Sequence, residues 1–103
     1  MKNITLTFNN ITATVYPNED GMYDLNDIHR AFKLQKTKQP GQWRDSAKAF
    51  FENEGKIASV NLGRRGSQTL ATQEALYAYA MWCDVEFYMV VVNAFTALTN
   101  GGH

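Results

Sequence analysis

Two adjacent arginines stand between two glycines in the stretch Gly63-Arg64-Arg65-Gly66. A guanidinium group presents a planar fork of N–H donors that matches the oxygens of a phosphate or the acceptors on a base edge. Glycine on either side lets the backbone turn tightly without interference from a side chain. The stretch therefore predicts an exposed loop that binds a polyanion. An ordinary solvated turn, whose two charges prevent aggregation of a sheet edge, stays open as the alternative.

Further basic and amide side chains precede this stretch. Arg44 and Lys48 are four residues apart and fall on one flank of a predicted helix. Two lysines in the loop before this helix are expected to contact phosphates, which position a protein on a duplex without reading its sequence. Two glutamines near the helix start are expected to reach base edges. The complete set of predicted DNA-contact residues is Arg64, Arg65, Arg44, Lys48, Lys36, Lys38, Gln42 and Gln39.

Charge is unevenly distributed along a chain whose formal net charge is zero. From Arg30 to Arg65, nine basic and three acidic residues give a formal charge of +6, and the other residues together carry −6. This asymmetry predicts one side that attracts polyanions and one that repels them. The alternative is that these lysines and arginines only keep exposed helices soluble.

Residues that could support catalysis are few. His29 stands near Asp27 on a predicted helix surface, where a lone histidine usually serves as a polar side chain only. A serine–histidine–aspartate set could be assembled with Ser46, but no spacing positions it. The chain has no phosphate-binding loop motif and no metal-ligand spacing. We therefore expect no enzyme activity, no catalytic residue, no metal and no cofactor.

Length and composition indicate one small domain in a reducing compartment. The 103 residues suit a single core, and the single cysteine, Cys83, excludes an internal disulfide. No stretch approaches the roughly 18 apolar residues that a membrane helix needs, and the N-terminus lacks the apolar segment of a signal peptide. We expect a cytoplasmic protein without membrane contact.

The hydrophobic patterns predict an α+β fold. Alternating residues in ITLTF and ITATVY around Asn9-Asn10 predict an N-terminal β-hairpin. Apolar residues at helical spacing behind Asp24 predict a first helix from about Leu25 to Leu34.

A second helix is predicted to begin near Pro40, with one apolar stripe formed by Trp43, Ala47, Phe50 and Phe51.

Four further elements complete the prediction. Short strands in KIASVNL and SQTLAT predict a second hairpin over residues 56–72, which we call the wing. Thr72 and Asp84 are expected to cap two more helices, QEALYAYAMW and VEFYMVVVNAFTAL. The β-branched run MVVVN favours a strand by propensity, an alternative that the capping signal, the length and the 3.6-residue period outweigh.

Three segments together resemble the KilA-N domain of phage and large DNA-virus proteins, which is similar to the fungal APSES DNA-binding domains. They are MYDLNDIHRAFKL, GQWRDSAKAFFE and GRRGSQTLATQEALYAYAMWCDVEFYMVVVNAF, and they follow the order of the family. In this resemblance Trp43 corresponds to the family tryptophan, Arg44 to the basic position after it, and residues 63–66 to the family's wing. Trp82 and Phe87 correspond to core aromatics. The family's wing usually ends in a glycine-threonine-tryptophan-like element, whereas this chain has GSQTLA, so a wing aromatic is missing.

The resemblance implies a small winged helix-turn-helix-like domain over residues 1–98 that binds double-stranded DNA. Residues 99–103 are then a flexible tail or the start of a linker. The expected setting is a phage-type transcriptional regulator in the cytoplasm of a bacterial host. The alternative is an antirepressor domain that binds and inactivates another regulator, with its acidic face meeting a basic surface.

Two further interpretations concern exposed apolar residues. The last predicted helix is expected to be the central core helix; the alternative is that Met89 and Val90, on its third face, form a homodimer contact. RNA binding would use exposed aromatic side chains for stacking, whereas the aromatics here fall on predicted core stripes.

Overall fold

The structure is a computed structural model that describes residues 3–100, with residues 65, 99 and 100 described by their backbone only. Its strands are β1 (Ile4–Phe8), β2 (Ile11–Val15), β3 (Tyr23–Asp24), β4 (Ile57–Asn61) and β5 (Ser67–Ala71). Its helices are α1 (Leu25–Ala31), α2 (Ser46–Asn53), α3 (Gln73–Cys83) and α4 (Val85–Asn100). Three short 3-10 turns occur at Lys36–Lys38, Pro40–Gln42 and Gly63–Arg65. The predicted α+β class, with two hairpins and four helices, is confirmed.

The N-terminal hairpin forms as predicted. β1 and β2 pair antiparallel from Ile4↔Val15 to Phe8↔Ile11. Both turn residues, Asn9 and Asn10, have positive φ angles of 55° and 62°, as a two-residue type I′ turn requires. The alternate residues of β1 are buried, and the sheet packs on α4.

α1 begins where the sequence predicts and ends earlier. The Asp24 carboxylate caps it by accepting a 2.9 Å hydrogen bond from the backbone N–H of Asn26. Lys33 has a left-handed φ of 51°, so the helix cannot continue to Leu34.

The predicted start of α2 and its apolar stripe are wrong. Asp45 accepts a 2.9 Å hydrogen bond from the N–H of Lys48, so the helix begins at Ser46 and not near Pro40. Trp43 is fully buried but lies in extended backbone before the helix, and Phe50 is 58% exposed. Phe51 is half-buried, and α2 packs on α3 and β4.

The second sheet has three strands in the order β3–β5–β4, all antiparallel. β4 and β5 form the wing as predicted, from Ile57↔Ala71 at its base to Asn61↔Ser67 at its tip. The two-residue strand β3 was not predicted, because two residues show no periodicity. β3 joins the wing to the N-terminus of α1.

Helices α3 and α4 supply seven of the sixteen buried residues that form the core cluster. Thr72 caps α3, and Asp84 caps α4 by accepting from the N–H of Glu86 at 2.7 Å, so both predicted caps are confirmed. The run MVVVN is helical, which excludes the strand alternative. Trp43, Tyr79 and Phe87 are fully buried, together with Leu25, Ile28, Phe32, Leu76 and Val91.

The last helix has an exposed and a buried side. Met89, from the predicted homodimer face, is 47% exposed, whereas its neighbour Val90 is half-buried. α4 continues to Asn100, and the remainder of the predicted tail, residues 101–103, lies outside the described residues.

Candidate nucleic-acid interface

The tip of the wing is a tight turn built by its backbone. The N–H of Leu62 donates to the carbonyl of Gly66 at 2.8 Å, and the N–H of Gly63 donates to Oδ1 of Asn61 at 2.8 Å. Gly63 and Gly66 have φ angles of 66° and 91°, which confirms the conformational role predicted for both glycines. Arg64 is exposed at the outermost position, and the backbone of Arg65 continues the same 3-10 turn.

Strand β5 of the wing is fixed to α1 and to its N-cap Asp24 by two hydrogen bonds. The N–H of Thr69 donates to Oδ1 of Asn26 at 2.9 Å, and Nε2 of Gln68 donates to Oδ2 of Asp24 at 2.9 Å. Ile57 at the start of β4 is buried, while the residues toward the tip are exposed. The wing is therefore a projecting arm on a rigid base.

A second positive region precedes α2, and we call residues 35–44 the basic segment. Between Asp27 and Asp45 the chain has five basic residues and no acidic one. Pro40 is buried along with Trp43, whereas four predicted contact residues of the segment are exposed: Lys36, Gln39, Gln42 and Arg44. The two 3-10 turns thus turn apolar side chains inward and polar ones outward.

Neighbouring elements hold the backbone of the basic segment. The Tyr79 hydroxyl donates a 2.7 Å hydrogen bond to the carbonyl oxygen of Lys38, and Nε2 of His29 lies 2.8 Å from the carbonyl oxygen of Gln35. Burial raises the pKa of the Tyr79 hydroxyl, so this donor keeps its proton over the physiological range. Nζ of Lys38 lies 4.5 Å from the centre of the Trp82 ring, a cation–π contact.

The prediction that Arg44 and Lys48 lie together on the flank of one helix is wrong. Arg44 lies before α2, because the helix starts behind the Asp45 cap. Within α2 the only charged residues are Lys48 and Glu52, and Nζ of Lys48 lies 3.8 Å from Oε2 of Glu52. The Lys48 side chain is only 17% exposed. The positive charge is therefore carried by the basic segment and the wing and not by the helix between them.

The residues that support these two surfaces were missed in the sequence. Tyr79 and His29 act through contacts to backbone carbonyls, which leave no pattern in the sequence. Pro40 correctly indicated the start of a helical turn, because proline favours the first position of such a turn. The turn that it begins is the 3-10 turn Pro40–Gln42 and not α2.

The residues of the hypothetical catalytic set have other contacts. His29 faces the carbonyl of Gln35, Asp27 forms an ion pair with Arg30, and Ser46 is exposed at the start of α2. Within residues 3–100, no three histidine, cysteine, aspartate or glutamate side chains form a group that could hold a metal ion. In the same part of the chain, no helix has the length and apolar character needed to cross a bilayer.

Comparison with protein families gives one match. The model of the KilA-N domain matches residues 6–101, which is nearly the whole chain. No curated protein matches the chain. No solved structure matches it either.

Proposed function

Because the chain belongs to the KilA-N domain family, a family of DNA-binding domains, we propose that it binds duplex DNA through the wing and the basic segment. The proposal includes a role in transcription regulation of the phage type, which the resemblance of the motifs supports. We propose that the domain binds DNA and catalyses no reaction.

The observation that carries the proposal is the arginine-tipped wing. Arg64 is exposed at the end of a hairpin whose turn is built by two glycines at positive φ. Adjacent guanidinium groups on such an arm can reach phosphates or a groove edge, where their forked donors bind in a bidentate manner.

The basic segment supplies a second set of contacts. Lys36 and Arg44 are exposed and are assigned to phosphates, while Gln39 and Gln42 are assigned to base edges. The backbone of the segment is already held through the Lys38 and Gln35 carbonyls. A preorganised segment loses little conformational entropy when it binds.

The remaining two lysines are given supporting roles. Lys38 and Lys48 are engaged with Trp82 and Glu52 respectively, so their charges are held in place beneath the exposed residues. Lys38 raises the local positive potential, which attracts a polyanion over a distance of about a Debye length, roughly 10 Å at 0.1 M salt. Lys48, whose charge Glu52 offsets, contributes only when a phosphate takes the place of Glu52.

The test is a titration of a fluorescent mixed-sequence duplex with the protein, followed by anisotropy at several salt concentrations. Five neutralised phosphates correspond to a slope of log K against log salt of about −4.5. The double variant Arg64→Ala/Arg65→Ala is expected to bind at least about tenfold more weakly, with a slope closer to zero by about 2.

Two controls separate the position of the charges from their number. Arg64→Lys/Arg65→Lys keeps both charges and loses the guanidinium forks, so part of the affinity but most of the salt slope should remain. Lys2→Ala/Arg30→Ala removes two charges outside the proposed contact set, and Arg30 is already paired with Asp27. Unchanged DNA affinity after removal of the two wing arginines, or equal loss in this second control, would contradict the proposal.

A further inference from the structure

The outer edge of β2 has backbone groups that bond to no residue between 3 and 100. The type I′ turn places Phe8 and Ile11 in a hydrogen-bonded pair, so hydrogen bonding alternates along the hairpin and skips Thr12 and Thr14. The direct contacts of their hydroxyls with Thr7 and Thr5, at 2.9 and 3.0 Å, fit the closer spacing of non-hydrogen-bonded pairs. The N–H and C=O groups of Thr12 and Thr14 therefore point away from β1, and no described residue bonds to them.

This edge lacks the usual protection against strand addition. Exposed sheet edges are commonly blunted by lysine, by proline, by a bulge or by extreme shortness. β2 has the sequence Ile-Thr-Ala-Thr-Val, pairs without a bulge and is five residues long. By contrast, the edge strand β3 has only two residues, and α2 packs against β4; α1 also packs against β2, but a groove lies between them.

A groove of about 210 Å³ runs beside the same edge. One wall is residues 13–16 of β2 and its continuation, and the other includes Asp24, Asp27 and Ala31 at α1. Tyr16 lines the groove and is 65% exposed. Thr14 lines this space, which a chain in extended conformation can enter, and Thr12 precedes it along the same edge.

The charges around the groove select the occupant. The two charged residues that line the groove, Asp24 and Asp27, are both acidic, and Asp27 pairs with the exposed Arg30 one turn later. A second copy of the chain paired through β2 would bring two such acidic regions together, which disfavours a homodimer here. An extended segment with lysine or arginine at alternate positions satisfies both the backbone groups and the carboxylates.

We propose that the β2 edge and its groove form a docking site for an extended basic segment of a partner protein, which adds to the N-terminal hairpin as a third strand. Main-chain hydrogen bonds to Thr12 and Thr14 provide the affinity, and the carboxylates of Asp24 and Asp27 select basic side chains, with a lysine or arginine of the partner taking the place of Arg30 at Asp27. This site is separate from the wing, so the inference does not depend on DNA binding.

The probe is a seven-residue peptide, capped at both ends, with lysine at alternate positions and threonine or valine between them. It is titrated into isotope-labelled full-length protein and followed by amide chemical shifts. We expect saturable shifts at the amides of Thr12 and Thr14 and slower hydrogen exchange at both. The same peptide with glutamate in place of lysine, or with N-methyl groups on alternate amides, should bind at least about tenfold more weakly.

A matched pair of variants tests the edge itself. Thr14→Pro removes an outward N–H on the proposed edge, and Thr5→Pro makes the same change at its cross-strand partner on β1. Proline is tolerated where a strand N–H faces outward, and both variants lose the same hydroxyl contact. We expect Thr14→Pro to weaken peptide binding about tenfold and Thr5→Pro to leave it nearly unchanged.

Three results would overturn the proposal. They are absence of saturable binding to the wild-type protein at millimolar peptide, equal binding of the N-methylated peptide, and shifts centred on residues other than the β2 edge. All three use only the wild-type protein, so they remain decisive if the proline variants fail to fold.

Discussion

Tyr79 of α3 donates a 2.7 Å hydrogen bond to the main-chain carbonyl of Lys38, 41 positions earlier in the chain. The hydroxyl belongs to a ring that is fully buried and that packs edge-to-face on Trp43 at 5.5 Å between ring centres. One side chain of the core therefore fixes both ends of the turn at Pro40–Gln42: the carbonyl before it and the tryptophan after it.

Replacement of Tyr79 by phenylalanine should loosen the basic segment. The Lys38 carbonyl loses its hydroxyl partner in a half-buried site, so the free energy of unfolding should fall by about 1–3 kcal/mol, measured by urea titration. The control is Tyr77→Phe on the same helix, whose hydroxyl only accepts from Gln73 one turn earlier. A loss that is equally large in the control would contradict an anchoring role for Tyr79.

The two aromatic residues that flank the Asp45 cap should differ in their contribution to stability. Trp43 is fully buried, so Trp43→Ala should lower the free energy of unfolding by about 3–5 kcal/mol. Phe50 is 58% exposed, so Phe50→Ala should change it by less than about 1 kcal/mol. Thermal or urea unfolding of the two variants checks this. A costly Phe50→Ala would support the sequence prediction of a buried stripe over the structure.

Gly66 should be intolerant of a side chain for conformational reasons alone. A Cβ at this position meets no atom within 4 Å, but the φ of 91° is strained for any other residue. Gly66→Ala should therefore cost about 1–3 kcal/mol. Gly41→Ala is the matched control, because its surroundings are equally open and its φ is ordinary, and it should be neutral or stabilising by up to about 1 kcal/mol. Urea titration of both variants gives the comparison, and similar values would exclude a strained wing turn.

The hydrogen bond between Asn26 and the Thr69 N–H should be important for the wing. Thr69 is buried, so Asn26→Ala leaves its N–H without an acceptor and should cost about 1–3 kcal/mol. Asn93→Ala on the exposed side of α4 removes the same chemical group without such a bond and should be neutral or stabilising. Faster hydrogen exchange of the Thr69 amide in Asn26→Ala is the direct measurement, and unchanged exchange would contradict the prediction.

Cys83 should react slowly with alkylating agents. Burial is the largest cause that raises the pKa of its thiol, from 9.0 to about 11. The reactive species is the thiolate, so at pH 8 the folded protein should react with iodoacetamide about 100-fold more slowly than the same chain in urea. The rate should keep rising with pH until about pH 11.

The raised pKa of the Cys83 thiol also predicts the direction in which the free energy of unfolding changes with pH. The folded state holds the thiol proton more tightly than the unfolded chain, so the free energy of unfolding should decline as pH rises from about 9 to 11. Partial exposure of Cys83 limits its share to at most about 2 kcal/mol. Cys83→Ala should reduce this decline. A free energy of unfolding that rises from about pH 9 to 11 would contradict this assignment. Burial also raises the pKa values of Tyr79 and Tyr23, so these two hydroxyls add to the decline at the upper end of the range.

Local signals in the sequence predicted most of the fold. The Asn9-Asn10 turn and the caps Asp24, Thr72 and Asp84 each depend on neighbours within a few positions. Such interactions can be predicted from the sequence, because the residues that form them are close together in the chain. The wing was predictable for the same reason.

The errors arose where two local signals competed or where contacts were distant. Pro40 and Asp45 both favour the start of a helix, and the structure uses the first for a 3-10 turn and the second for α2. Trp43 and Arg44 therefore lie before α2, and not on the apolar stripe and the helix flank that the sequence predicted. The Tyr79–Lys38 and Asn26–Thr69 bonds span 41 and 43 positions, and no periodicity reports a contact of that range.

α3 begins directly after β5 and, six residues later, carries the hydroxyl that holds the basic segment. Six residues of α-helix span about 9 Å along the axis. Helix α3 therefore connects the wing to the basic segment, and neither surface can move alone without breaking a contact with α3. For the proposed DNA ligand, we expect the fixed distance between the wing and the basic segment to favour duplexes by groove width and stiffness as well as by the identity of their bases.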